Sequence, residues 1–284
     1  MSSPVRTWLP STPDDWTLVT ARRVGPFLGA ATYRRPDGLE VHWSSRGHRK
    51  GHPIRSIGPS RRPGRVRPHT WWIAGLFSAG SLCFALGSFP PYLDAVDELV
   101  DGVTFFVGSI GFTVASLLCF LEASGRFDSE TSWALAPPGR PLVRLESAGW
   151  WSAIVQFAGT IWFNVMTLRA VVLPPSTPGV DRLVWRPDLL GSGCFLVASY
   201  LAWAEVRAEP TGVPGREVSR WVAVLNLLGS VAFGVSAVGA FTLPSTDDVV
   251  SFRLDNGGTF VGAICFLVAA VLLVPEARRM GSEG

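Results

Sequence analysis

The segment Gly80-Ser81-Leu82-Cys83-Phe84 recurs in outline as Gly108-Ser109-Ile110-Gly111-Phe112, Gly159-Thr160-Ile161-Trp162-Phe163, Gly191-Ser192-Gly193-Cys194-Phe195, Gly229-Ser230-Val231-Ala232-Phe233 and Gly262-Ala263-Ile264-Cys265-Phe266. Each has a glycine, a small residue directly after it, and Phe four places on. Each also lies inside an apolar stretch, the six running over 70–89, 102–121, 149–172, 188–206, 219–242 and 257–275. A helix of about 20 residues crosses roughly 30 Å of hydrocarbon, so these stretches predict six membrane spans. Phe89-Pro90-Pro91, Pro174-Pro175-Ser176 and Pro244-Ser245-Thr246 close three of them by removing backbone donors.

The rest of the chain agrees with that reading. Of 284 residues, 48% are hydrophobic and only 17% charged, which is too apolar for an ordinary soluble domain. The odd spans add a Trp eight places before the glycine (Trp72, Trp151, Trp221), and the even spans add a Glu fourteen places after it (Glu122, Glu205, Glu276). The chain therefore reads as three tandem two-helix units, approximately 70–123, 149–206 and 219–277, whose odd-span glycines are 79 and 70 residues apart. Each unit crosses an even number of times, so the three lie parallel about an axis along the membrane normal. The fold class is an all-α membrane protein, with a basic N-terminal region over 1–69 and a short tail over 278–284.

Helical geometry places the repeated residues. At about 100° per residue, with glycine at zero, Phe falls near +40°, Glu near −40° and Trp near −80°, which predicts one shared face. Small residues let membrane helices approach closely, so this face is expected to meet neighbouring helices. The Glu lies about 21 Å and the Trp about 12 Å from its glycine, toward the inner interface, where Trp is at home and a carboxylate stays hydrated. Phe84, Phe112, Phe163, Phe195, Phe233 and Phe266 come out near mid-membrane. Two readings stand for them: a layer closing a pore or cradling a lipid chain, or packing beside glycine inherited by duplication. Gln156, Asn164 and Asn226 are the strongest polar groups in the spans, read either as interhelical hydrogen-bonders or as a polar lining. Glu122, Glu205 and Glu276 suggest a carboxylate ring at the inner mouth, with Arg126, Arg207, Arg278 and Arg279 near enough to neutralise it.

Charge sets the expected orientation. Residues 1–69 hold 13 of the 25 Arg and Lys but 4 of the 22 acids. With both termini inside, the inner segments carry 13, 3, 3 and 2 basic residues against 0, 3 and 1 outside, which predicts cytoplasmic termini. No cleavable secretory signal is visible in this polar start. Arginine outnumbers lysine by 24 to 1, a bias of GC-rich genomes that points to a bacterial cytoplasmic membrane. Within the N-terminal region, Ala30–Arg35, Pro36-Asp37-Gly38 and Leu39–Trp43 read as a hairpin. Residues 44–69 then carry Arg46, Arg49, Lys50, Arg55, Arg61, Arg62, Arg65 and Arg67 among prolines and glycines, which reads as an extended tether. Such a stretch sets topology and meets anionic lipid headgroups, at about 1 kcal/mol per charge near the surface. Nothing in it resembles a base-stacking pattern, so no nucleic acid is expected. His42, His48, His52 and His69 read as exposed surface histidines. Cys83, Cys119, Cys194 and Cys265 lack metal-ligand spacing and read as packing residues.

The Gly80–Phe84 unit, the Val107–Phe112 unit and Leu183-Val184-Trp185-Arg186-Pro187-Asp188 leading into the fourth span make residues 70–277 similar to the YrhK-like two-helix unit and to multi-pass membrane proteins of actinobacteria that carry it. That resemblance implies no activity. The central parts of the spans contain no Asp, Glu, Lys, Arg or His, so neither catalysis nor a resident cofactor or metal is expected. A non-enzymatic structural or interaction role, in contact with membrane lipids, is the expectation, and a small-solute transporter or channel along the pseudo-threefold axis is the alternative.

Overall fold

In the computed structural model, residues 13–50, 54–56, 65–127, 145, 147–174, 176–177, 179–242 and 249–281 are described. Arg61, Arg62, Pro175, Pro244 to Thr246, His52 and the last three residues of the tail lie outside them.

Six helices are long and apolar enough to cross a membrane, and the protein is a multi-pass membrane protein on that basis. They are α2 (Pro68–Gly87), α4 (Glu98–Ala123), α5 (Ala148–Val172), α6 (Val180–Ala208), α7 (Arg216–Gly239) and α8 (Phe252–Met280). Several run beyond the apolar stretches because polar residues cap them. Asp97, Ser147 and Ser251 each accept a hydrogen bond from the backbone N–H three residues on, and Pro68 opens α2 where a missing donor costs nothing. After Ser88 closes α2, Pro90 and Pro91 start a single turn, α3 (Pro90–Leu93).

Within each unit the paired helices, α2 with α4, α5 with α6 and α7 with α8, make the broadest contacts. The junctions α4–α5 and α6–α7 join the units, and α8 packs back on α2, so the six helices form a closed ring in chain order. Leu82, Val107, Leu117, Ile161, Leu196, Val231 and Val268 stand exposed on the outside of the ring. Serines, threonines and alanines fill the inter-unit seams. Asn164 Nδ2 donates to Thr113 Oγ1 at 2.8 Å, the Ser109 and Thr167 hydroxyls pair at 3.0 Å, and those of Ser199 and Ser230 at 2.7 Å. Asn164 is thus a bond between units and lines neither of the cavities described below, where the sequence had made it a candidate lining residue.

The pairing inside each unit rests on glycine. A Cβ at Gly80 would sit 2.8 Å from the Gly108 carbonyl oxygen and from the Phe112 ring, and one at Gly108 would sit 2.7 Å from Cys83 Cβ. The same reciprocal contact joins Gly159 to Gly191 and Gly229 to Gly262, each glycine facing its partner and the partner's Phe ring. Close backbone approach is what small residues provide in membranes, where helix association depends on packing.

The N-terminal residues form a four-stranded antiparallel meander, β1 (Thr17–Val24), β2 (Phe27–Arg34), β3 (Glu40–Ser44) and β4 (Ile54–Ser56), in order β1-β2-β3-β4. The β2–β3 hairpin expected from the sequence is its centre. Gly38 takes φ +83° in its turn, and the Asp37 side chain accepts from Leu39 N at 3.0 Å. Ala31, Tyr33 and Val41 make its small core with Trp16 and Trp43. Two outcomes differ from expectation. The hairpin is extended on both edges, and the start of the predicted tether is a helix, α1 (Ser45–Arg49), capped by the Ser44 hydroxyl accepting from Gly47 N.

Substituting Gly80→Ala is predicted to destabilise the fold by about 1–3 kcal/mol through overpacking. Gly75→Ala, in the same helix with open space beside it, is predicted to be neutral or slightly stabilising. The midpoints of detergent-induced unfolding of the two variants check this.

Candidate functional site

The six repeated Phe side chains meet on the axis of the ring. Phe84, Phe163 and Phe233, from α2, α5 and α7, form one triangle with ring centroids 6.2, 5.8 and 5.9 Å apart. Phe112, Phe195 and Phe266, from α4, α6 and α8, form a second, with edges of 6.2, 5.7 and 6.1 Å. Within each unit the two triangles are linked, at 5.5 Å for Phe84–Phe112 and 5.2 Å for both Phe163–Phe195 and Phe233–Phe266. The result is a trigonal prism of buried rings, mostly edge to face. Such pairs contribute about 0.5–1.5 kcal/mol each beyond their buried area.

The prism separates two cavities. Odd and even spans run in opposite directions, so a Phe four residues after its glycine lies toward the far end on α2, α5 and α7 and toward the sheet-bearing end on α4, α6 and α8. The far cavity, about 450 Å³, reaches Phe84, Phe163 and Phe233 and is lined by Glu98, Asp101, Asp188, Asp255, Ser236, Asn256 and Thr259. Among its described lining residues none is Arg, Lys or His. Asp101 and Asp255 occupy the same repeat position, seven before Gly108 and Gly262, and Asp188 stands one turn nearer its glycine. Ser236 Oγ donates to Asp255 Oδ1 at 2.8 Å, and Asp101 Oδ1 has no hydrogen-bond partner among the described residues. The near cavity, about 110 Å³, reaches Phe266 and is lined by Phe77, Gln156 and Asn226, which share one repeat position, and by Cys119 and Ser152. Gln156 and Asn226 are therefore lining residues, with Asn226 Nδ2 also donating to Val222 O.

The near cavity is closed by α1. Arg46 Nε and Nη2 donate to Glu276 Oε1 at 2.8 and 2.6 Å, and Arg49 Nη2 lies 2.5 Å from Glu205 Oε2. Lys50 Nζ is 3.8 Å from Glu122 Oε2, whose other oxygen meets His69 Nε2 at 3.1 Å. Three cations at spacing i, i+3, i+4 thus each meet the carboxylate of a different repeat. Glu205 and Glu276 are fully buried and Glu122 nearly so, so these carboxylates are not hydrated at an interface as the sequence led us to expect. Of the arginines expected to neutralise them, Arg207 and Arg278 lie over the Trp203 and Trp71 rings. Burial works against the Arg46 charge, and the Glu276, Glu205 and Glu209 carboxylates overcome it, holding its pKa above the ordinary value. A Cβ at Gly149 would strike the Arg49 guanidinium, so the start of α5 is hollowed to receive it.

Other expected residues fall elsewhere. Trp72 and Trp221 are 57% and 59% exposed and stand on the outside of the ring, off the shared packing face that the helical wheel predicted, while Trp151 is half-buried. His69 and His42 are buried rather than exposed. His69 stacks on Phe127 at 4.2 Å, and His42 Nδ1 shares a 2.8 Å hydrogen bond with Thr32. Of the four cysteines, Cys119 lines a cavity, whereas the Cβ atoms of Cys83, Cys194 and Cys265 pack on Gly108, Gly159 and Gly229. Sequence reasoning missed Arg46, Arg49, Lys50 and Gly149 as site residues. The usable signal was the one-face spacing of three cations beside three repeated carboxylates. Among the described residues no group of His, Cys, Asp and Glu is suited to hold a metal ion. Comparison with protein-family models, curated proteins and solved structures returns no match.

Removing one partner of a buried ion pair strands the other charge. Arg49→Ala is predicted to cost about 3–5 kcal/mol, whereas Arg49→Met with Glu205→Met restores most of that loss. Unfolding midpoints of the single and double variants check both.

Proposed function

We propose that this protein is a membrane pathway, closed in the conformation described, for a small cation or cationic solute. The observation that carries the reading is the far cavity, which sits on the ring axis above the Phe prism and is lined by four carboxylates with no basic residue among its described lining residues. A cleft lined by one sign of charge and walled by apolar helices concentrates counter-ions. The near cavity continues the same axis with Gln156, Asn226 and Glu122, so polar groups flank an apolar septum on both sides. Hydrophobic constrictions of this kind gate by dewetting.

The reading is non-enzymatic: the axial polar groups bind and pass a solute. We place the sheet-bearing end in the cytoplasm of a bacterial cell because the basic residues are concentrated there. Arg65 is exposed at the foot of α2, where it meets anionic headgroups. A sealed scaffold is the second reading, favoured by the completeness of the prism, in which every repeated Phe is buried.

Proteoliposome flux of rubidium and chloride separates the two. Shrinking both layers of the septum by replacing Phe84, Phe163, Phe233, Phe112, Phe195 and Phe266 with alanine, together with Arg46→Gln, Arg49→Gln and Lys50→Gln, is predicted to raise rubidium flux about tenfold or more over wild type and over chloride. Asp101→Asn, Asp188→Asn and Asp255→Asn in that background abolish the preference for the cation. A folded, unobstructed variant as impermeable as wild type would establish the scaffold instead.

A further inference from the structure

We propose that α1 is a releasable plug, an autoinhibitory contact of the N-terminal domain that closes the near mouth of the axis. This deepens the pathway reading and rests on it for its purpose, but the seating of α1 is tested without reference to flux.

The contact of α1 with the mouth is made by charge, while beside it β1 and β2 pack on α6 and Gly29 lies against Ala208. Arg46 and Arg49 of the five-residue helix and Lys50, which caps its C-terminus, reach Glu276, Glu205 and Glu122, 230, 156 and 72 residues away in the chain. No other part of the sequence supplies each repeat's carboxylate with a cation in this way among the described residues. Every feature that admits the plug is local to the mouth. Gly149 leaves room for Arg49, Ser44 caps α1 so that its three cations point together, and the near cavity lies directly behind them.

The energetics make this a latch rather than a permanent joint. A buried ion pair gains its attraction at the cost of dehydrating both charges, so its balance against two hydrated ions is small. Here the compensation is also incomplete. Among the described residues Arg49 Nε and Glu205 Oε1 have no hydrogen-bond partner, and Lys50 stands 3.8 Å from Glu122. Withdrawal of α1 rehydrates the six charges together and takes three cations away from a mouth that keeps the carboxylates of Glu122, Glu205 and Glu276. The same movement therefore opens the axis and makes its entrance attractive to cations. An anionic surface or polyanion competing for Arg46, Arg49 and Lys50, or a raised ionic strength, drives the release.

Cys119 is a natural reporter because it lines the cavity behind the plug. With Cys83, Cys194 and Cys265 replaced by alanine, Cys119 is challenged in purified, reconstituted protein with a cationic and an anionic methanethiosulfonate. A second reporter, Ser152→Cys in a Cys119→Ala background, covers a thiol of low intrinsic reactivity. The wild-type mouth is expected to protect both positions. Arg49→Glu is expected to speed labelling about tenfold or more, with the cationic reagent faster than the anionic one. Arg49→Glu with Glu205→Arg is expected to restore protection, which a misfolded variant would not do. Equal labelling of wild type and Arg49→Glu at both reporters, fast or slow, overturns the plug, as does failure of the charge swap to restore protection. The pathway reading fails on a different result, the absence of rubidium flux after both obstructions are removed.

Discussion

The crossing of glycine on glycine within each two-helix unit is the contact on which the rest of the architecture depends. Lipid tails are as apolar as leucine, so helices in a membrane gain nothing from hiding apolar surface from water and associate by fit. Gly80 against Gly108, Gly159 against Gly191 and Gly229 against Gly262 bring two backbones close enough for each Phe to lie beside the partner's glycine. Three such units leave six rings with one place to go. The rings fill the axis as a prism in which each triangle draws one Phe from every unit. The apolar residues that would form the core of a soluble protein are left on the outside, facing lipid.

The ends of the axis are governed by charge. Glu122, Glu205 and Glu276, each fourteen residues after its glycine, gather at the near mouth, where burial makes an uncompensated carboxylate costly. One short basic helix answers all three, which ties the N-terminal sheet to the bundle across long separations in the chain. The far end carries Asp101, Asp188 and Asp255 with no described basic residue lining their cavity. One mouth is therefore neutralised from within the chain and the other is left acidic. That asymmetry is why a cation is the species proposed for the axis.

Much of this was legible in the sequence because it is local. The six spans, the Gly/Phe register and the hairpin at Pro36-Asp37-Gly38 depend on composition, helical period and turn chemistry over a few residues. The helical wheel went astray at Trp72 and Trp221, because it measures angle from glycine without knowing how wide the buried face of a ring helix is. Depth along the helix went astray for the Glu residues for another reason. It located them near the end of a span, where water is the default partner, and the sequence does not announce that a separate domain covers that end. Arg46, Arg49 and Lys50 were seen only as members of a basic run, since glycines and prolines around them mask a helix of one turn. His69 was hidden likewise, its partners Glu122 and Phe127 lying more than 50 residues onward.

The pseudo-threefold prism is the central claim, and cross-linking across the axis tests it most directly. In a cysteine-free background, cysteines at positions 84, 163 and 233 are taken two at a time and treated with a short bis-methanethiosulfonate. α2, α5 and α7 are not neighbours around the ring, so linkage depends on their meeting at its centre. The account predicts that all three pairs cross-link to similar extents, as centroid separations of 6.2, 5.8 and 5.9 Å require. Linkage confined to one pair, or absent from all three while cysteines at positions 84 and 112 of a single unit still join, would contradict it.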